Sequence, residues 1–176
     1  MANPFFTIGH STRSITEFVD LLRSAEVQLV ADVRKMPRSR TNPQYDQATL
    51  AAALASYQIG YEHLAALGGL RGKQRDGPSS NAFWKNRSFR NYADYATTEA
   101  FRSCFARLRE LGHHYRCAIM CAEAVWWRCH RRIIADYLIS DGESVLHILG
   151  PGHIQAATMT PEARREPDGT LAYPAP

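Results

Sequence analysis

The segment Cys121-Ala122-Glu123 is followed, one short loop later, by Cys129-His130-Arg131. Together they gather two thiols, a carboxylate, an imidazole and a guanidinium. This set of groups suits a thiolate nucleophile, because a nearby cation or a helix N-terminus lowers a thiol below its free pKa of about 8.5 and a histidine can move the proton. Cys121 closes the apolar run Tyr115 to Met120. The loop Ala122 to Trp127 then leads to a helical segment beginning at Arg128. Loop and helix-start N–H groups are expected to favour an anion beside the Cys121 sulfur. On this reading Cys121 is the nucleophile and the most reactive thiol, and His130 or His10 is the general acid or base. Glu123 orients one of them, and Cys129 resolves a persulfide or mixed disulfide. Arg34 or Arg131 balances the thiolate. Asp32, Arg34, Arg131 and Ser11 form the anion-binding set, and no cofactor is called for.

The thiols Cys121 and Cys129 with His130 and His10 also supply donors that zinc prefers. Their spacing is not a zinc-finger pattern, and neighbouring residues such as Cys129 and His130 diverge by about 100° on a helix. The main reading therefore carries no metal, and a Cys/His metal-site protein stays an alternative to it. Cys104 and Cys117 are expected in the core, as free cysteines often are, with Trp126 and Trp127 as packing or rim residues.

Those residues need a scaffold, and the apolar pattern supplies one. Strands are expected at Phe5–Ile8, Val27–Val33, Tyr61–Leu64, Tyr115–Met120 and Val145–Leu149. Between them lie segments with apolar residues at helical spacing: Phe18, Leu21, Leu22 and Ala25; Leu50, Ala51, Leu54 and Tyr57; Phe101, Phe105 and Leu108; Ile133, Ile134, Tyr137 and Leu138. Ser14 and Glu17 have the capping-box spacing that opens the first helix. Strand and helix in alternation predict an α/β fold of one domain, 1–149, with a mostly parallel five-stranded sheet and helices on both faces. In such sheets ligands bind beyond the carboxyl ends of the strands. Gly9-His10-Ser11-Thr12, Asp32-Val33-Arg34, His63 and Cys121-Ala122-Glu123 all fall at those ends. Gly68 to Asn86 reads as a lid over that edge, because it is long and basic with no apolar period. From Gly150 on, five of the nine prolines fall within 27 residues, which reads as a Pro-rich tail, 150–176.

At 176 residues and 45% hydrophobic the chain has an ordinary globular composition. No apolar run reaches membrane-spanning length. The N-terminus lacks a basic region followed by an apolar one, so no secretory signal and a cytoplasmic location are expected. The net charge of +4 and a pI of about 9.0 favour anionic partners only mildly. A small anionic substrate is the expected partner. A nucleotide or nucleic-acid binding module is the alternative. It would use Arg71, Lys73, Arg75, Lys85 and Arg87 together with Phe83, Trp84 and Trp126, although no nucleic-acid motif is present.

Several segments appear together and in order: Thr7-Ile8-Gly9-His10-Ser11-Thr12; Asp32-Val33-Arg34 with Pro37 and Ser39; His63-Leu64 leading to Leu67-Gly68-Gly69; and Cys121-Ala122-Glu123 before Cys129-His130-Arg131. This combination resembles the bacterial family catalogued as domain of unknown function number 488, over roughly residues 5 to 149. Many relatives carry an Asp-Pro pair between the two halves of the cysteine element, where this chain has Ala124-Val125-Trp126-Trp127. The family name implies a fold and a site but no reaction. The outline is also similar to rhodanese-like domains, which place an Asp-x-Arg after an early strand and a nucleophilic cysteine at a later strand end. That likeness implies sulfur transfer, with Asp32, Arg34 and Cys121 in those places. Cysteine phosphatases share the outline but need a shorter spacing than the six residues that separate Cys121 from Arg128.

Overall fold

The computed structural model describes residues 2–74 and 76–176, so Arg75 of the basic loop lies outside the described residues. Alternating side chains divide the sheet into two faces. Phe5 of β1 (Phe5–Gly9), Ala31 of β2 (Leu29–Asp32) and Cys117, Ile119 and Cys121 of β4 (Cys117–Cys121) enter one core. Phe6, Ile8, Val30, Ala118 and Met120 enter the other. With β3 (Gly60–His63), β5 (Val145–Gly150) and β6 (His153–Ala156) the sheet runs β3-β2-β4-β1-β5-β6. The first five strands are parallel and β6 is antiparallel to β5.

Helices cover both faces, as an α/β architecture requires. On one side lie α1 (Ile15–Ser24), buried through Phe18, Leu21 and Leu22, and α2 (Gln47–Ala55), buried through Leu50 and Leu54. The other side holds α3 (Arg87–Tyr95), α4 (Glu99–His114) and α5 (Arg131–Ser140), through Tyr92, Phe101, Phe105, Leu108, Ile133 and Ile134. The start of α1 is the expected capping box: Ser14 Oγ accepts from the Glu17 N–H and the Glu17 carboxylate accepts from the Ser14 N–H, both at 3.1 Å. No helix among the described residues is long and apolar enough to cross a membrane.

The sheet has six strands where five were expected. Every residue of β6 is exposed, and its polar–apolar alternation, His153-Ile154-Gln155-Ala156, is too brief a run to stand out beside the turn residues Gly150-Pro151-Gly152. Two short strands, β7 (Arg164–Arg165) and β8 (Leu171–Ala172), pair as a separate hairpin. The segment read as a tail is tied to the rest of the chain. The fully buried Tyr173 donates its hydroxyl to Asp136 Oδ2 (2.8 Å) and its N–H to Asn81 Oδ1 (2.9 Å), and its carbonyl accepts from the Phe83 N–H (2.9 Å).

The loop read as one lid also divides. Trp84 is buried against Tyr173 and stacks on Phe89 at 4.9 Å, so its second half belongs to the core. In its first half Arg71 clamps the base, donating to the carbonyls of Gly68 and Ala65 and lying 4.1 Å over the Tyr95 ring. Finally, α5 opens at Arg131 and not at Arg128. Trp126–Arg128 form a short 3₁₀ turn, and the extended backbone of Cys129 (φ −128°, ψ 150°) breaks the helical path.

Tyr173→Ala should lower the unfolding free energy by about 3–5 kcal/mol, since it removes a buried aromatic ring and leaves Asp136 without its hydroxyl partner. Urea unfolding measures this. A loss below about 1 kcal/mol, the scale of an ordinary surface substitution, would show that the final residues do not stabilise the core.

Candidate active site

At the carboxyl edge of β1, β2 and β4 lies a cleft of about 1470 Å³. His10, Ser11, Arg34, Cys121, Glu123, Cys129 and His130 all line it. Asp32 and Arg131, also assigned to the site from sequence, are buried beneath it. The edge is brought together by backbone contact. The β1–β4 ladder continues past the strands through His10 N–H to the Cys121 carbonyl (2.9 Å) and Ser11 N–H to the Ala122 carbonyl (3.0 Å). Gly9 makes this approach possible, because a Cβ there would lie 1.8 Å from the Glu123 carbonyl oxygen. On the facing side, a Cβ at Gly69 would come within 3.0 Å of His130 Nδ1.

The centre of the site is Arg131, 1% exposed. Its Nε donates to Cys121 Sγ (3.0 Å), Nη1 to Thr7 Oγ1 (2.9 Å) and Nη2 to the Glu123 carbonyl (2.7 Å). Its backbone N–H, at the start of α5, points at Cys129 Sγ (3.4 Å). Among the described residues no carboxylate pairs with it. A buried guanidinium without a counter-ion is costly, and a thiolate between Arg131 and the helix start relieves that cost.

The two thiols divide unequally. Burial pushes Cys121 well up, and its hydrogen bond to Cys129 adds to this. Burial also opposes ionisation of Cys129, but the Cys121 thiol, the Arg131 guanidinium and the Arg131 N–H outweigh it and bring Cys129 down to about 7. The Cys121 S–H has a second acceptor, the Glu123 carbonyl at 3.7 Å. A charged Cys129 is the stronger acceptor of the two. The thiol drawn down is thus Cys129 and not the expected Cys121, because the sulfur at the helix start receives the N–H and the neighbouring thiol, and labelling decides which of the two reacts first. Cys117, buried in β4, is pushed up to about 12 by burial, and the half-buried Cys104 is also raised.

His130 is held in one tautomer. Its Nε2 lies 2.8 Å from the Val33 carbonyl, which can only accept, so Nε2 carries the proton. Nδ1 then turns its lone pair toward Cys129 Sγ at 3.4 Å. Burial lowers the His130 pKa, and the ring is neutral at pH 7. Cys129 and His130 are thus a thiol–imidazole pair oriented by a backbone carbonyl. No other group of three or more His, Cys, Asp or Glu side chains is placed to hold a metal among the described residues, and Cys121, Cys129, His130 and His10 do not form one.

Arg34 is largely committed to structure. It grips Asp32 through Nε (2.9 Å) and Nη2 (2.7 Å), and Nη2 also reaches the Tyr45 carbonyl (2.8 Å). Asp32 further accepts from Tyr61 (2.5 Å), and His63 holds the Arg34 carbonyl (2.7 Å). His10 stacks on Tyr45 at 4.1 Å and its Nδ1 donates to the Ser11 carbonyl (2.8 Å). Glu123 makes no side-chain bond to either histidine. It acts through its carbonyl, and its carboxylate is exposed. Sequence reasoning missed Thr7 and His147. Thr7 Oγ1 lies 2.6 Å from His147 Nδ1, and His147 stacks on Trp126 at 4.6 Å. A single histidine inside the apolar strand Val145–Gly150 was the available signal. Trp126 packs there, and Trp127 is exposed on the rim.

Residues 14–138 match the family described as "Domain of unknown function DUF488", and the chain belongs to that family. No curated protein and no solved structure matches it. The likeness to rhodanese-like domains therefore rests on the outline of Asp32, Arg34 and Cys121 alone.

Iodoacetamide labelling with peptide mapping should modify Cys129 with a midpoint near its value of about 7, ahead of Cys121, Cys104 and Cys117. Cys121→Ala should move that midpoint upward by removing the thiol donor. Faster labelling of Cys121 would reverse the assignment.

Burial, reinforced by Arg131, also depresses His147 to about 4, and burial lowers His10 and His130. Each binds its proton more weakly in the folded chain than at the unfolded value of about 6.5. The stability they contribute is complete above about 6.5 and is lost as the pH falls through their lowered values, for His147 toward about 4. Urea unfolding between pH 7 and 5 should show this decline, and His147→Gln should flatten it. An unchanged slope in that variant would mean that His147 does not contribute.

Proposed function

We propose that this protein is a thiol-dependent enzyme of the sulfur-transfer type, acting on an anionic donor, with Cys129 as the attacking thiolate. The observation that carries this reading is Arg131: a buried cation whose guanidinium donates to the Cys121 thiol, a hydroxyl and a carbonyl, while its backbone N–H points at the Cys129 sulfur and no carboxylate among the described residues pairs with it. A thiolate is the anion such a pocket stabilises, and a persulfide anion has the same charge in the same place. His130 Nδ1 accepts the Cys129 proton as an incoming donor orients its sulfur, with Val33 fixing the ring.

The Cys129 thiolate attacks the outer, sulfane sulfur of the donor. A new S–S bond forms as the donor's bond to that sulfur breaks, and the donor leaves with the electron pair, as sulfite does from thiosulfate. Cys129 now carries a persulfide, with Arg131 and the Cys121 thiol as its hydrogen-bond donors. A nucleophilic acceptor such as cyanide or a small thiolate takes the terminal sulfur, and the electron pair returns to Cys129.

The test is to incubate the protein with thiosulfate, 3-mercaptopyruvate or inorganic polysulfide, and to look by mass spectrometry for one added sulfur atom on the Cys129 peptide. Thiocyanate release after cyanide is the turnover readout. Cys129→Ser should abolish both, and Cys121→Ser should weaken both while the fold is retained. No sulfur on Cys129 with any of these donors, or full turnover in Cys129→Ser, would remove the proposal.

A further inference from the structure

The cleft is larger than a bare inorganic donor needs, and at about 1470 Å³ it exceeds the usual few hundred to about 1000 Å³ of a small-molecule site. Its wall contains two polar atoms that are buried without a hydrogen-bond partner, His10 Nε2 and Arg34 Nη1. Their residues are 2% and 7% exposed, and both line the cleft. A buried polar atom left unpaired costs free energy that a ligand can recover.

The chemistry of the two atoms is not the same. Arg34 Nη1 can only donate. His10 Nδ1 donates to the Ser11 carbonyl, so in the neutral ring Nε2 can only accept. The charged groups that face His10 are Arg34, Asp32 and Arg13, and with burial they leave the ring neutral. Beside this pair the exposed Lys35, Arg38 and Arg40 line the cleft. No carboxylate pairs with them among the described residues.

The two atoms call for a group that accepts and donates at once, and the cations Lys35, Arg38 and Arg40 beside them favour one that is also an anion. Carboxylates, ionised from about pH 4 upward, have no proton to offer at neutral pH, and neither does sulfate. A phosphoryl monoester loses its second proton only near about pH 6. Its monoanion, a minor species in free solution at neutral pH but within easy reach of it, is the form this pair of atoms selects, with one O–H and two acceptor oxygens together.

We infer that the substrate of this cleft is a phosphorylated organic molecule, with its phosphoryl group between His10 Nε2 and Arg34 Nη1 under the loop that carries Lys35, Arg38 and Arg40. The phosphoryl O–H donates to Nε2, a second oxygen accepts from Nη1, and the loop cations offset the remaining charge. The inference rests on the proposed function only in placing the transferred group at Cys129 in the same cleft. Phosphoryl recognition itself requires no thiol chemistry.

The test is isothermal titration of the full chain with inorganic phosphate, ribose 5-phosphate and sulfate at matched ionic strength. Phosphate and ribose 5-phosphate should bind, and sulfate should bind about tenfold more weakly or less, the worth of one hydrogen bond to a buried group. His10→Phe keeps a ring against Tyr45 but lacks Nε2, and should erase the preference for phosphate over sulfate. Lys35→Ala with Arg38→Ala, both at exposed positions, should weaken phosphate without loss of fold. Cys129→Ser should bind phosphate as the parent does, so this result and that of the sulfur-transfer assay stand or fall separately. Equal affinity for sulfate and phosphate, or no binding of either phosphate probe, would overturn the inference. So would tight, steeply salt-dependent binding of a single-stranded oligonucleotide by a chain that ignores ribose 5-phosphate.

Discussion

Arg131 places a full positive charge under the floor of the cleft, and the surrounding structure is arranged around it. A guanidinium that has left water must have its donors met and its charge balanced. Here Thr7, Cys121 and the Glu123 carbonyl meet the side-chain donors. The same residue's N–H, at the first turn of α5, reaches Cys129. One residue thus joins β1, β4, the loop after β4 and α5. Thr7 extends the arrangement to β5 through His147, which the cation and burial keep neutral.

The consequence for reactivity follows from the missing carboxylate. A buried Arg–Asp pair, such as Arg34 with Asp32, is closed to further chemistry except at the one nitrogen left over. Arg131 has no such partner, so ionisation of a thiol becomes the way to neutralise the pocket. Two thiols compete for that charge. Cys129 is the one drawn down, because it has the Cys121 thiol, the Arg131 charge and the helix-start N–H, while burial and the bond to Cys129 hold Cys121 up although Arg131 Nε reaches its sulfur.

The cleft also has a functional asymmetry. Some of its groups set thiols against a cation, while His10 and Arg34 hold an unpaired acceptor and an unpaired donor. Glycines keep the walls close: Gly9 admits the Glu123 carbonyl, Gly68 passes over the Lys35 backbone, and Gly69 passes over His130. Side chains at these positions would separate the loops that bring both sets of groups into one space.

Much of this was legible in the linear chain. Short apolar runs marked the five parallel strands, the Ser14/Glu17 box marked the start of α1, and the strand ends named His10, Arg34, Cys121 and their neighbours as candidates for one edge. Those features are local, set by backbone hydrogen bonding and by which residues avoid water. The exposed edge strand β6 spans only four residues, too few for its alternation to stand out, and the burial of Tyr173 and Trp84 depends on partners about 90 residues apart in the chain. The assignment of the thiolate was likewise beyond the sequence. Cys121 and Cys129 are both cysteines near arginines, and what separates them is a 3₁₀ turn that delays α5 by three residues and places one sulfur at its first N–H. Electrostatic roles depend on distance and burial, which only the folded chain defines.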